Sequence, residues 1–171
     1  MNRICRRAAV ALLTATTTLA PISSSAVSPL LSTTYAATAA RSLSSKEKTA
    51  RKKLLSFKKK YKEGKKWGNN VYRSWKCGIY SGGYGCAAFA FELFNKTFGN
   101  VKAKQRKSNF TKAKVGDILR MNGNTHCVIV IGTKPNGGVE VAEGNYGGRV
   151  HWGRTVSKKA LKKANWLITA Y

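Results

Sequence analysis

The chain has 171 residues, 32 of them Lys or Arg and six Asp or Glu, for a formal charge of +26 at pH 7. Such a length supports one domain with a real core. Such a charge concerns partners rather than fold, and cysteines at 5, 77, 86 and 127 are too few for a disulfide framework.

Residues 1–40 read as a secretory signal peptide. Arg3, Arg6 and Arg7 form a basic start, residues 8–20 are an uncharged apolar run, and small residues offer cleavage after Ala36 or Ala39. The run is short and Thr-rich beside the ~20 apolar residues a membrane span needs. No later stretch supplies them, so the mature chain is expected to be secreted, soluble and without a transmembrane segment. Removal of residues 1–40 takes away those three arginines and no acid, which lowers the charge to +23 over 131 residues. Teichoic acid, acidic glycans and released nucleic acid are the polyanions such a surface would meet outside a cell. Cys77, Cys86 and Cys127 then remain, an odd number, so at least one thiol is unpaired or pairs with another molecule. A Cys77–Cys127 bridge that leaves Cys86 free is one arrangement.

Residues 41–66 read as a basic amphipathic helix. Ser44 with Glu47 three residues on forms a capping box. Ala50, Leu54, Phe57 and Tyr61 recur on one helical face, and Gly64 is the expected stop. The face packs on the domain, and the basic back is either plainly solvated or a docking surface for an anionic polymer. Residues 67–85, rich in aromatics, Gly and Asn without a period, read as a structured loop. The stretch from Cys86 to Gly99 is apolar nearly all round and predicts a central, buried helix ending at Gly99. Strands are expected at 116–121, 126–132, 138–144, 149–154 and 165–171, with a short helix over 157–164. Helices first and an antiparallel sheet of about five strands after is an α+β layout.

Cys86 is either a small core residue or a nucleophile. A nucleophilic cysteine needs a lowered pKa, a base and an orienting group. A helix start favours the thiolate, and Gly82, Gly83 and Gly85 leave room for a substrate to approach. His126, opening the second strand, is the candidate base. By alternation Cys127 points to the other face, as a core residue apart from the site. With an even-length loop between the strands, His126 lies opposite Asn145 or Gly147, and Glu143 and Asn145 share its face if the extended path continues past Gly144. An odd loop would turn both away.

Cys86 at a helix start, His126 at a strand start and "EGN" at 143–145 together resemble the CHAP cysteine amidases and peptidases. The wider NlpC/P60 group is similar too, in which a "GD" strand such as Gly116–Asp117 precedes the histidine strand. The resemblance spans roughly residues 67–154, so that 67–171 would be the catalytic domain. It implies a papain-like fold and cleavage of peptidoglycan amide bonds by acyl transfer. It also implies Cys86 as nucleophile, His126 as base and Glu143 with Asn145 as orienting residues, without metal or cofactor. The expected partners are peptidoglycan and, through the basic surface, anionic wall polymers; the expected state is a cell-wall-associated monomer. One departure stands out: relatives keep Gln just before the cysteine, and here Gly85 is there. Oxyanion support then falls to the Cys86 N–H with Tyr84 or Tyr80 nearby, and a catalytically weak or inactive basic binding module is the alternative. His151 is the rival base, with Trp152 beside it at a surface rim or sugar-stacking position. Glu92 is assigned no role. A zinc site from the cysteines and His126 fits no defensible spacing.

Overall fold

The computed structural model describes residues 40–171; the expected signal peptide and its expected cleavage sites fall on residues outside them, save Ala40. Helix α1 (Ser45–Ser56) starts with the expected capping box, in which the Ser44 hydroxyl accepts from the Glu47 N–H and the Glu47 carboxylate accepts from the Ser44 N–H. The helix ends before Gly64: Phe57–Lys59 tightens into a 3-10 turn, which brings Tyr61 into the core behind Ala50 and Leu54. Glu47 is buried, holds the Arg41 guanidinium and accepts from the Val115 N–H, so the cap also ties α1 to the segment before the sheet.

Residues 67–85 contain more than a loop. Strands β1 (Tyr72–Ser74) and β2 (Gly82–Tyr84) pair as a small antiparallel sheet that runs directly into α2 (Gly85–Phe98). As its composition predicts, α2 is the central helix, and Phe89, Leu93 and Phe94 are fully buried.

The second half is a six-stranded antiparallel sheet in the order β3-β8-β4-β5-β6-β7. Its strands are β3 (Lys104–Arg106), β4 (Ile118–Met121), β5 (His126–Thr133), β6 (Val139–Tyr146), β7 (Arg149–Val156) and β8 (Trp166–Thr169), with α3 (Lys158–Leu161) between the last two. Strand β3 was not expected: Lys-Gln-Arg is exposed throughout, has no apolar alternation, and is a strand because it pairs with β8 at the sheet's edge. One face of the sheet packs on α2 through Cys127, Ile129, Ile131, Ala142 and Ile168. The other is covered by Phe110, Ala113, Leu161 and Ala164 over Leu119, Val128, Val130 and Val141. The fold is therefore α+β, with helices packed on an antiparallel sheet. Among the described residues no helix is long and apolar enough to cross a membrane.

Candidate active site

The start of α2 is built around Gly85. Its φ of +54° is a conformation that L side chains avoid. A Cβ there would stand 2.6 Å from Asn69 Oδ1 and 3.2 Å from Asn145 Nδ2. The Gly85 N–H donates to the Val71 carbonyl at 3.0 Å, and the Gly85 carbonyl accepts from Trp67 Nε1 at 2.8 Å. Backbone shape and packing together explain why no glutamine stands here: its place is filled by Asn69. Cys86 follows in the first turn, where an N–H has no carbonyl four residues back to bind.

His126 reaches the site through a compensated register. Five residues, Lys134–Gly138, join β5 to β6, an odd loop that taken alone would turn Glu143 away from His126. A bulge at Ile131 restores the pairing: Thr133 faces Val139 and Gly132 faces Glu140, but Val130 faces Val141 and Ile129 faces Ala142. Continued, this register sets Asn145 across from His126 and puts Glu143 on the imidazole's face. His126 Nε2 lies 2.7 Å from Glu143 Oε2.

Glu143 is fully buried, and Arg154 grips it with two hydrogen bonds, Nε to Oε1 at 2.5 Å and Nη2 to Oε2 at 2.6 Å. Burial alone would raise the Glu143 pKa. The bonds from Arg154 and His126 outweigh it, and the carboxyl is held below its ordinary value. Arg154 is thus a site residue that no pattern in the sequence marks; the pairing of β6 with β7 brings it to the buried acid that needs a cation.

Asn145 does not join this group. Its φ of +59° breaks the extended path past Gly144, and its amide donates to Asn69 Oδ1 at 2.6 Å. Gly144 itself permits β6 to approach α2: a Cβ there would stand 2.7 Å from Trp67 and 2.8 Å from the Phe89 ring. Asn145 therefore supports the wall beside Gly85, and Glu143 alone binds the imidazole.

Cys127 also differs from expectation. It is buried and does point away from His126, but that is the face on which α2 and Cys86 lie. The Cys86 thiol is only 7% exposed. Its pKa is lowered to about 4, first by the neighbouring Cys127 thiol, against the opposing effect of burial, and then by His126. The Cys127 thiol moves the opposite way, well up, so of the two it is the one that keeps its proton. Burial disfavours the His126 imidazolium, but Cys86 and Glu143 outweigh it and raise the pKa to about 9. Between these values the resting pair is thiolate and imidazolium. Cys77 packs at the far end of α2 against Asn95 and Gly99, and Cys77, Cys86 and Cys127 are all free.

Other expected positions sort by burial. Tyr80 and Tyr84 are exposed; Tyr80 lines a cleft at Ala87 and Cys127, and Tyr84 rests on Tyr72. Trp152 is not a rim residue. It is buried against Phe89 and gives its indole N–H to the Tyr61 carbonyl at 2.7 Å, so it is core. His151 stacks on Tyr146 and binds Glu63 at 2.6 Å. Glu92 accepts from the Tyr61 hydroxyl and pairs with Arg73 and Lys96. Among the described residues no three His, Cys, Asp or Glu side chains are grouped to hold a metal ion.

No family model, curated protein or solved structure matches the chain. The chemistry therefore has to be argued from the site itself. A helix-start cysteine with a lowered pKa, a histidine with a raised one and a buried carboxylate fixing the imidazole are parts that a cysteine nucleophile needs.

Proposed function

We propose that the protein is a secreted cysteine hydrolase that cleaves amide bonds in bacterial cell-wall peptidoglycan, with a papain-like arrangement of helix and sheet. The observation that supports it most is the Cys86–His126–Glu143 set at the start of α2, with His126 fixed at 2.7 Å by a buried carboxylate. The Cys86 thiolate attacks the amide carbonyl carbon, and the carbonyl oxygen takes the negative charge. The Cys86 N–H, unpaired in the first turn of α2, is the donor offered to it. As the C–N bond breaks, His126 gives its proton to the leaving amine. A thioester remains on Cys86. His126, now neutral, takes a proton from water, whose oxygen attacks the thioester and frees the carboxylate product and the thiolate. Glu143 fixes the imidazole's tautomer and Arg154 keeps Glu143 ionised in its buried position.

The wall as substrate follows from the resemblance to CHAP and NlpC/P60 enzymes and from the basic surface, which suits anionic wall polymer. Purified walls should clear with wild type and not with Cys86→Ala; equal clearing by both would end the reading.

A further inference from the structure

A row of three side chains crosses the sheet on the α2 face. Trp166 of β8 is the cross-strand partner of Arg120 in β4, and Arg120 is the partner of Cys127 in β5. They floor a cleft of about 240 Å³ walled by Tyr80 and Phe91. The cleft opens beside the nucleophile. Ala87 of the cleft wall follows Cys86 in the chain, and Cys86 Sγ lies 3.9 Å from the carbonyl of Thr125, the residue after Asn124 of the cleft wall.

Arg120 is fixed here as a cation without a counter-charge. Its Nε donates to the Asn124 carbonyl at 2.9 Å and to Asn124 Oδ1 at 3.1 Å, and its Nη1 donates to Cys127 Sγ at 3.2 Å. The guanidinium also lies 6.0 Å from the centre of the Trp166 ring. Its Nη2 has no acceptor, and no carboxylate stands within 4.0 Å of it among the described residues, although Arg41, Arg73 and Arg154 each have one. These bonds hold the fork still, so that little entropy is lost when an anion arrives.

We infer that this cleft is a subsite for a substrate peptide carrying a free carboxylate next to the scissile amide, with Arg120 as the recognising group and the Tyr80, Phe91 and Trp166 rings holding the apolar part of the same residue. The inference rests on Cys86 marking the reacting position. A guanidinium with a free N–H beside an aromatic floor fits a planar, singly charged acceptor. A neutral amide in the same place would leave Arg120 buried under the ligand without a counter-charge.

The test is binding without turnover. Two short wall peptides are titrated into the Cys86→Ala protein near 150 mM salt, one with a free glutamate carboxylate and one with that group amidated. The acid should bind about tenfold tighter or more, the range of one charge-assisted hydrogen bond. Adding Arg120→Ala should level the two affinities, and Arg120→Lys should restore part of the difference, with thermal melts confirming that each variant folds. Equal binding of acid and amide to the Cys86→Ala protein, or no binding of either, overturns the subsite. So does a preference that survives Arg120→Ala, which would belong to the general positive charge. The assay needs no hydrolysis, so a failure of the subsite and a failure of the hydrolase reading are told apart.

Discussion

At the scale of single residues, the site depends on who holds the protons. With Cys86 at about 4 and His126 at about 9, hydrolysis should rise through pH 4 as the thiolate forms and fall through pH 9 as the imidazolium is lost. Removing the first cause should move the acid limb. In Cys127→Ala the Cys86 thiol loses that neighbour, and the pH at which it becomes reactive to iodoacetamide should shift upward; an unmoved profile would leave Cys127 as mere packing. Glu143→Gln keeps the shape but not the charge. Hydrolysis should drop by about a hundredfold or more, the size typical of a lost acid–base arrangement, and the alkaline limb should move to lower pH. Sequence alone made Cys86, His126 and Glu143 visible, because the first two stand at element starts and the third alternates onto the histidine's face. Alternation placed Cys127 correctly in the core opposite His126, but could not say that Cys86 shares that face. Asn69 and Arg154 were invisible: one is brought near Gly85 by a loop without a period, the other by pairing across β6 and β7.

At the scale of elements, the β5–β6 hairpin decides the site. Its five-residue loop and the Ile131 bulge cancel, so deleting Ile131 should turn Glu143 to the wrong face. We expect that variant to lose hydrolysis and the His126–Glu143 bond, read by the histidine's NMR titration, even where a folded fraction remains. The start of α2 is equally specific. Gly85→Gln would supply the glutamine that CHAP enzymes carry before their cysteine, but φ is +54° and Asn69 fills the space. It should destabilise the fold by roughly 1–2 kcal/mol and lower activity, as measured by denaturant unfolding and wall clearing. The capping box and both central strands could be read from pattern. Strand β3 could not, since its three exposed polar residues are ordered by β8 rather than by any property of their own.

At the scale of the whole molecule, charge and pH act on fold and partner together. The buried Asp117 carboxyl accepts from the Lys114 N–H at 2.8 Å, and burial pushes its pKa up to about 6. An acid whose folded pKa is raised supports the fold below its unfolded value near 4 and loses that support as pH rises through 6. Asp117→Asn should therefore gain stability at pH 7, by roughly 3 kcal/mol, and little at pH 3.5; thermal melts at both values check this. The basic surface acts separately from the cleft. Binding to anionic wall polymer should weaken steeply between low and physiological salt, with Cys86→Ala binding as well as wild type.

The central claim is that Cys86, set by His126 and Glu143, breaks an amide bond in wall peptide. Mass analysis of defined wall fragments after incubation tests it most directly. The account predicts paired products, a new amine and a new carboxylate that together exceed the substrate by one water, with wild type and not with Cys86→Ala. Fragments left intact by the wild type across pH 5–8, or cut equally by both proteins, would contradict it.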